Sequence, residues 1–535
     1  MNTVIITIAF VVIAVFSAVN LLVEFKRDLM MMQQNSYRID RYMRWLRASA
    51  DTTSTARIMG MCVTLLALAQ FTDTLWSMVL VGVFASGSAI VLSRRKYKKP
   101  LVWTARVKRI YSTMLILSAL AVCGAALFVT RSDVDMRLFV ATVTMMGLYC
   151  CSHIVAVAAV WLLKPVEKAI NRKYYNEAAA ILSSKDSMIV IGVTGSYGKT
   201  STKHYLHRIL SEKYDVLMTP GSFNTALGVI RTVREMMKPY TEVFICEMGA
   251  KQCGDIKEIC DLVHPTVGVV TAVGPQHLES FKSIENVQRT KFELVDALPA
   301  SGLAVVNNDF PYAASRKVDN VACLRYGVSS VADTDYHAED VVYDASGTTF
   351  TIAGGDMEPL RLHTRLVGEC NVSNLIAAVI VALHLEVSRE KIRYAVEKIE
   401  QVEHRLNMKR TPAGVTIIDD AFNSNPTGSS MALDVLASMK GGRRIVVTPG
   451  MIELGEQQYG LNRQFGERIA VSADVAIVVG EYNRDAIVEG IGAVENSGAE
   501  CHTVADFAEA QKLLGSMLRA GDTVLYENDL PDTFK

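Results

Sequence analysis

The chain has 535 residues, which is too long for a single hydrophobic core, and three domains are the reasonable expectation. Lysine plus arginine number 55, as do aspartate plus glutamate, so the charge balance indicates no nucleic-acid partner and none is predicted. The ten cysteines include no Cys-x-x-Cys pair, which argues against a disulfide framework and for reduced, buried thiols. Half of the residues are hydrophobic, the mean hydropathy is +0.22, and this excess is concentrated in the first third.

The first third contains apolar stretches that are long enough to cross a bilayer, at residues 3–23, 58–92, 111–130 and 138–163. The intervening segments 25–57 and 93–110 are basic, and basic loops beside apolar spans face the cytoplasm. These features predict a transmembrane domain of about five helices over residues 1–170, with the remainder inside the cell. The expected location is the plasma membrane, as a multi-pass protein, and membrane lipids are expected partners.

From residue 188 onward, short β-rich runs alternate with amphipathic segments, which is the pattern of parallel α/β sheets. The predicted fold is therefore an α-helical multi-span membrane domain followed by two α/β domains. A P-loop parallel-sheet ATPase domain is expected at 171–405 and a Rossmann-like domain at 406–535, with hairpin character around 330–365. The predicted strands are 188–193, 243–246, 267–273, 303–306, 415–418, 444–448, 475–479 and 523–526.

The sharpest local motif is GVTGSYGKTS at 192–201, directly after a predicted strand and at the start of a predicted helix. Glycines let backbone N–H groups approach phosphates, Lys199 neutralises phosphate charge, and the Thr200 hydroxyl can hold Mg²⁺. The motif departs from the common Walker A spacing, because the first glycine would fall at Val193. A glycine-rich turn without nucleotide is the alternative, but GKTS at a helix start favours a phosphate site.

Polar residues also follow later predicted strands. Glu247 ends the strand at 243–246 and His277 follows the strand at 267–273, so both are expected at the sheet edge where α/β proteins bind ligands. Glu247 could there reach a metal held by the P-loop, whereas an isolated histidine is more often an ordinary polar surface residue. Lys291 lies on a predicted helix, where a solvated lysine is the alternative. The segment IDDAFNSNP at 418–426 is either a functional turn or a polar Asn-Pro stop.

Eight motifs occur in the order found in the Mur ligases, which the chain resembles over about residues 188–535. Within that family, EMGA and DDAFNSNP point to the MurF branch, which adds D-alanyl-D-alanine to the muramoyl tripeptide. The resemblance implies an ATP- and Mg²⁺-dependent amide ligase of bacterial peptidoglycan synthesis, which activates a carboxylate as an acyl phosphate and joins it to the amine of an amino acid or dipeptide. The motifs are TGSYGKTS (194–201), SFNTALG (222–228), CEMGA (246–250), VGPQHLESF (273–281), TKFEL (290–294), GECNVSN (368–374), EHRL (403–406) and IDDAFNSNP (418–426).

The resemblance also implies roles for individual residues, while Cys370 and His404 depart from the residues common at their positions without removing a charge that the reaction needs. The implied catalytic residues are Lys199, Glu247, His277, Lys291, Asn224 and Arg405. The implied nucleotide-binding residues are Thr194, Gly195, Ser196, Tyr197, Gly198, Lys199, Thr200, Ser201, Asn371, Asn374, Arg405, Asp420 and Asn425. The implied Mg²⁺ ligands are Thr200, Glu247, His277 and Lys291, the last as a carbamate.

Soluble members of the family carry an N-terminal domain that grips the UDP part of the substrate, and here a predicted membrane domain stands in its place. The muropeptide acceptor is therefore expected to be either UDP-linked or lipid-linked. A polyglutamate-type ligase is one rival function, although DDAFNSNP argues against it. A membrane transporter or scaffold regulated by its P-loop domain is another, but it predicts charges within the spans, where Asp73 is one of few.

Overall fold

The computed structural model describes residues 3–48, 99–128, a few positions between 137 and 149, and residues 151–529 except 345–346, 356–357, 422–423 and 496. The chain divides into two compact units, Met1–Ile170 with Leu530–Lys535, and Asn171–Asp529.

The described part of the first unit is helical. Its helices are α1 (Thr3–Gln34), α2 (Ile39–Ala48), α3 (Ala105–Phe128) and the beginning of α4 (Ser152–Ser183). Their buried apolar side chains form one core, which includes Phe25, Ile110 and Ala156. Within this core Asp28 is buried and accepts hydrogen bonds from the Tyr42 hydroxyl at 2.9 Å and the Ser152 hydroxyl at 2.5 Å.

The predicted multi-span membrane domain is wrong, and so is the location in the plasma membrane that depended on it. Among the described residues one helix, α3, is long and apolar enough to cross a membrane. Apolar composition does not distinguish a span from a helix that packs on other helices. Here α1 continues past its apolar stretch through Glu24, Arg27 and Asp28, which are all buried. The predicted spans at 58–92 lie outside the described residues.

The second unit contains a nine-stranded sheet in the order β2-β3-β1-β4-β5-β6-β7-β8-β9. Its strands run parallel from β2 to β7, and β7, β8 and β9 pair antiparallel. The strands are β1 (Ile189–Thr194), β2 (Val216–Met218), β3 (Val243–Glu247), β4 (Val267–Val270), β5 (Leu303–Asn307), β6 (Ala322–Gly327), β7 (Tyr336–Asp344), β8 (Gly347–Gly354) and β9 (Leu360–Thr364).

Helices cover both faces of this sheet, as a parallel sheet requires. Ile191 of β1 packs in one core with Tyr205 and Leu375, while its neighbour Val190 packs on the opposite face with Phe292. The helices are α5 (Lys199–Leu210), α6 (Ala226–Met236), α7 (Asp255–Val263), α8 (Leu278–Phe281), α9 (Ile284–Asp296), α10 (Pro311–Ala314), α11 (Glu369–His384) and α12 (Arg389–Glu397).

A second sheet of six strands has the order β10-β11-β15-β12-β13-β14, in which only the edge strand β10 is antiparallel to its neighbour. Its strands are β10 (Asn407–Arg410), β11 (Thr416–Asp420), β12 (Arg444–Thr448), β13 (Val475–Val479), β14 (Glu500–Val504) and β15 (Thr523–Glu527). The helices that accompany it are α13 (Pro426–Ser438), α14 (Gln458–Ser472), α15 (Arg484–Gly492) and α16 (Phe507–Met517).

The α/β character predicted from the sequence is confirmed. Each of the eight predicted strands corresponds to a parallel strand within one to three residues at its ends, and the hairpin region is β7, β8 and β9. In the first sheet β1 lies between β3 and β4. The carboxyl ends of these three strands therefore open onto one edge of the sheet, where the motif residues follow them.

Candidate active site

The loop at 195–198 connects β1 directly to α5, which confirms the predicted strand–loop–helix arrangement. The helix begins at Lys199, so its first backbone N–H groups, which have no partner within the helix, point toward this loop. The loop is anchored to the sheet through Ser196, whose N–H donates to the Ala272 carbonyl at 2.8 Å and whose hydroxyl donates to the Gly274 carbonyl at 3.0 Å.

Two glycines of the loop are required by its geometry. Gly198 has a φ of 79°, in the left-handed region, and a Cβ there would lie 2.4 Å from the Asn374 amide oxygen. Gly195 has a φ of 150°, and a Cβ there would lie 2.1 Å from the Thr271 hydroxyl. The backbone at both glycines therefore passes closer to its neighbours than any side chain permits.

Lys199 folds back over the loop. Its ammonium donates to the carbonyls of Gly195 at 2.6 Å and Ser196 at 3.2 Å. Burial lowers the pKa of Lys199 to about 8, although Glu247 nearby opposes this shift. The ammonium of Lys199 is thus held directly against the loop at 195–198. Thr200 follows on the first turn of α5 and is half-buried.

A buried ion pair lies next to the loop. The carboxylate of Glu247, at the end of β3, lies 2.9 Å from the Lys203 ammonium, and the two side chains are 1% and 0% exposed. The other carboxylate oxygen of Glu247 accepts a hydrogen bond from the Asn224 amide at 3.0 Å. Burial works to raise the pKa of Glu247, but Lys203 and Lys199 together lower it, so this carboxylate is ionised. The oxygen that faces Lys203 accepts no directed hydrogen bond.

Lys291 is buried on α9, with 1% of its surface exposed. It forms no ion pair with the described residues, and burial together with the charge of Lys199 holds its pKa well below the usual value for a lysine. A lysine in this environment loses its proton more readily than usual, and the neutral amine is the form that reacts with carbon dioxide to give a carbamate. The solvated surface lysine considered as an alternative from the sequence is excluded.

His277 contacts the second α/β sheet. Its Nδ1 is hydrogen-bonded to the carboxylate of Glu453, which follows β12, and the Lys251 ammonium lies 3.6 Å from the same carboxylate. Burial lowers the pKa of His277, while Glu453 opposes the shift. This hydrogen bond to a carboxylate that follows a strand of the other sheet distinguishes His277 from an ordinary polar histidine in a surface loop.

The carboxyl edge of the second sheet brings three charged residues toward the phosphate loop. Burial lowers the pKa of Arg405, against the attraction of Asp420, Glu247 and Glu527. Asp420 ends β11 and Glu527 ends β15, and burial raises the pKa of both. The charge of Asp420 further raises the pKa of Glu527. Arg405 is thereby under the influence of acids from both sheets, Asp420 and Glu527 of the second and Glu247 of the first.

The remaining predicted residues hold the site together. Asn425 caps α13 by accepting the Gly428 N–H at 2.8 Å, and the neighbouring Thr427 hydroxyl shares a 3.0 Å hydrogen bond with the Tyr197 hydroxyl of the loop.

Two asparagines of α11 connect this helix to α5. Asn374 accepts a hydrogen bond from the Thr202 hydroxyl at 3.1 Å, and Asn371 accepts one from the Tyr205 hydroxyl at 2.7 Å. The last two predicted residues are buried behind the loop: Thr194 donates to the Met248 carbonyl, and Ser201 shares a hydrogen bond with Tyr205.

Sequence reasoning missed Lys203, Thr427, Glu453 and Glu527. Two of them carried a usable signal. Lys203 lies four residues after Lys199 on the helix that the GKTS motif begins, so both lysines share a helix face. Glu527 ends a parallel strand in the same way as Glu247. Glu453 and Thr427 had no such signal, because their importance comes from packing between two sheets.

The family comparisons agree with this geometry. The Mur ligase middle domain matches residues 193–382, and the Mur ligase, glutamate ligase domain matches residues 404–526. A relative from Mycobacterium bovis, named UDP-N-acetylmuramoyl-tripeptide–D-alanyl-D-alanine ligase, is 35% identical over 364 residues, which cover 63% of this chain and 70% of the relative. A relative of the same name from Bacillus subtilis is 29% identical over 346 residues, with 63% and 72% covered.

Solved structures give the same assignment. A crystal structure of MurF from Acinetobacter baumannii has a TM-score of 0.61 and 26% identity, covering 67% of this chain and 77% of that one. A structure of MurF ligase from Thermotoga maritima in complex with ADP has a TM-score of 0.60 and 26% identity, covering 67% and 80%. The resemblance read from the motifs, including the MurF branch, is confirmed. The chain belongs to the Mur ligase family and is an ATP-dependent ligase.

Proposed function

We propose that this chain joins D-alanyl-D-alanine to a UDP-linked muramoyl tripeptide, and that its two α/β domains meet at residues 405 and 406. The observation that carries the proposal is that Lys199 and Glu247 of the first sheet and Arg405 of the second lie close enough for their charges to act on one another. Relatives named for this reaction, at up to 35% identity, support the choice of substrates.

In the proposed reaction the γ-phosphoryl group of ATP is transferred to a carboxylate of the acceptor, which forms an acyl phosphate and ADP. The backbone N–H groups of the loop and the Lys199 ammonium would hold the phosphates, so that little reorganisation is needed as charge moves. Arg405 approaches from the opposite sheet and would stabilise the same charge. The present contacts of Lys199 with two loop carbonyls are ones that a phosphate oxygen would replace.

The residues present fit a magnesium ion. Magnesium takes few protein ligands and prefers carboxylate and hydroxyl oxygens. Glu247 is a buried carboxylate whose pKa is lowered by Lys203 and Lys199, and Thr200 lies on the first turn of α5. Among the described residues, no group of three or more histidine, cysteine, aspartate or glutamate side chains is arranged so that it could hold a metal ion. When bound, the ion would neutralise phosphate charge.

For a second ion we propose His277 and Lys291, the lysine as a carbamate. The lowered pKa and the burial of Lys291 support this assignment, as does its electrostatic effect on His277, because a carbamate would supply carboxylate oxygens close to the imidazole. The carbamate forms when the amine nitrogen attacks carbon dioxide and loses a proton. Asp255 and Glu293 also act on the charge of Lys291.

The amine of D-alanyl-D-alanine would then attack the carbonyl carbon of the acyl phosphate. The new C–N bond forms, the C–O bond to phosphate breaks, and the amine proton passes to a base or to water. Contact between the two sheets at Tyr197–Thr427 and His277–Glu453 would keep bulk water from hydrolysing the acyl phosphate.

The test is substrate-dependent phosphate release by the full chain, with the product identified by mass spectrometry. The acceptors are UDP-linked and lipid-linked muramoyl tripeptides, each offered with D-alanyl-D-alanine, D-alanine or L-glutamate, and Lys199→Ala is the inactive control. We expect release and a new amide with the UDP-linked tripeptide and the dipeptide. Turnover of the lipid-linked tripeptide alone, or successive addition of glutamate, would contradict the proposal.

A further inference from the structure

We infer that Glu453 is a positioning residue for His277: it fixes the imidazole with Nδ1 protonated and Nε2 free to bind a metal ion, and it does so from the opposite α/β domain. This inference rests on the proposed function, in which His277 is a metal ligand. It assigns to Glu453 a role that no motif of the chain indicated. It also means that binding of the metal ion at His277 depends on docking of the other domain.

The contacts of Glu453 are specific. One carboxylate oxygen is hydrogen-bonded to His277 Nδ1, and the other lies 3.6 Å from the Lys251 ammonium. The backbone carbonyl of Glu453 accepts the Glu279 N–H at 3.2 Å, two residues after the histidine. Side chain and backbone of one residue therefore hold both His277 and the chain that carries it.

The backbone on both sides of this contact is held in an uncommon conformation. His277 has a φ of 53° and Glu453 a φ of 62°, in the left-handed region that residues with a side chain rarely adopt. Gly455, with a φ of 62°, packs so closely that a Cβ there would lie 3.3 Å from the Glu279 nitrogen. Such strain persists only where the surroundings determine it, and it gathers at functional sites.

The chemical consequence follows from the two nitrogens of imidazole. A carboxylate accepts a hydrogen bond from Nδ1–H, and in a neutral ring with Nδ1 protonated the free lone pair is on Nε2. Histidines that bind metals commonly donate their other N–H to a carboxylate in this way, which orients the ring and increases its basicity. His277 follows β4 of the first sheet and Glu453 follows β12 of the second, so the pairing requires the two domains to be docked.

The first experiment measures the tautomer of His277 without metal. Two-bond ¹H–¹⁵N correlation spectra of the full chain, labelled at histidine, are compared with those of Glu453→Gln and Glu453→Ala, and His277→Asn identifies the signal. We expect the Nδ1–H form in the wild type and a shift toward the Nε2–H form in Glu453→Ala. The exposed Glu456→Gln is the matched control, since Glu456 lies three residues away on the same segment. An unchanged tautomer in Glu453→Ala would overturn the inference.

The second experiment measures metal binding. Mn²⁺ is titrated into each variant with a non-hydrolysable ATP analogue, and bound and free ions are counted by electron paramagnetic resonance. We expect two ions in the wild type and in Glu456→Gln. In Glu453→Gln the weaker ion should bind about 10- to 100-fold less tightly, as for loss of other carboxylate partners of metal-bound histidines. The ion next to Glu247, and the affinity for the ATP analogue, should not change.

The outcomes separate the inference from the proposed function. Equal binding of both ions in wild type and Glu453→Gln overturns the positioning role, even if the chain ligates D-alanyl-D-alanine. A single ion in the wild type also overturns it. Weakened binding of the second ion, together with a changed tautomer, supports the role of Glu453 even if the acceptor and donor prove to be different molecules.

Discussion

Three lysines belong to the site, and each has a different environment. Lys199 is hydrogen-bonded to the loop carbonyls, Lys203 is paired with Glu247, and the buried Lys291 forms no ion pair with the described residues. A charge is costly to bury unless it is paired, so burial lowers the pKa of Lys199 and that of Lys291. The motif alone predicted the position of Lys199 but not the pairing of Lys203.

Lys199 is expected to make nucleotide binding sensitive to alkaline pH. Its pKa in the free protein is about 8, so it is charged below that pH and neutral above it. The value of kcat/KM for ATP, which reports on the free enzyme, should therefore fall as the pH rises through about 8. Lys199→Arg, which stays charged, should lose this fall at the cost of a lower rate, and Lys199→Ala should lose at least about 100-fold at every pH. An exposed lysine variant, Lys257→Ala, should follow the wild-type profile.

We expect ligation to require an amine at position 291 that carbon dioxide can modify. Lys291→Arg introduces a permanent positive charge and cannot form a carbamate, and we expect no measurable ligation. Lys291→Ala should also be inactive and should regain part of the rate in millimolar formate or acetate, because a small carboxylate fits the vacated space. Full activity of Lys291→Arg, or rescue of Lys291→Ala to the same extent by chloride, would argue against the carbamate.

At the scale of elements, the turn from β1 into α5 depends on glycine for two separate reasons. Gly198 is left-handed and also crowded by Asn374. Gly254 precedes α7 with a φ of 90°, yet a Cβ there would meet nothing within 4 Å. Both glycines have a positive φ, but only at Gly198 would an added Cβ meet a neighbouring atom. Alanine substitutions at the two positions therefore form a matched comparison.

Gly254→Ala is expected to cost about 1–2 kcal/mol of unfolding free energy from left-handed strain alone. Gly198→Ala should cost more, because the new methyl group also displaces Asn374 and shifts the loop. Only Gly198→Ala should raise the KM for ATP. Denaturant unfolding and phosphate release on both variants would show this. Equal losses of stability with unchanged KM values would mean that the crowding is relieved without moving the loop.

The elements themselves were largely predictable from the sequence. Buried parallel strands appear as short apolar runs, and all eight predicted ones are present, with 267–273 ending earlier, at Val270. The strands β2, β6, β10 and β14 were not predicted. The strand β2 is three residues long, most of β6 is only partly buried, and β10 and β14 are edge strands with many polar residues. The helices of the first unit were assigned to a membrane because their length and apolar composition carry no information about what they pack against.

At the scale of the whole second unit, the site is completed by contacts between two sheets that no local pattern specifies. Burial raises the pKa of the Tyr197 hydroxyl to about 12, so it stays protonated at neutral pH and can hold its bond to Thr427. We expect Tyr197→Phe and Thr427→Val each to reduce the ligation rate. In a double-mutant cycle their coupling energy should be about 0.5–1.5 kcal/mol, the range of a single hydrogen bond. Additive effects would show that the two hydroxyls do not act together.

The hydrogen bond between Tyr197 and Thr427 also has a consequence for the turnover rate. Tyr197 belongs to the loop that would hold the nucleotide, and its bond to Thr427 must break before ADP can leave and form again once ATP has entered. Large-scale separation of two packed domains displaces solvent, whereas transfer of a phosphoryl group within a closed cleft does not. Steady-state turnover should therefore slow in proportion to solvent viscosity when sucrose is added, while a single turnover from preformed complex should not. Thr427→Val removes this hydrogen bond and should therefore weaken the viscosity dependence. Domain opening and product release, more than the chemical step, would then limit the turnover rate of the enzyme.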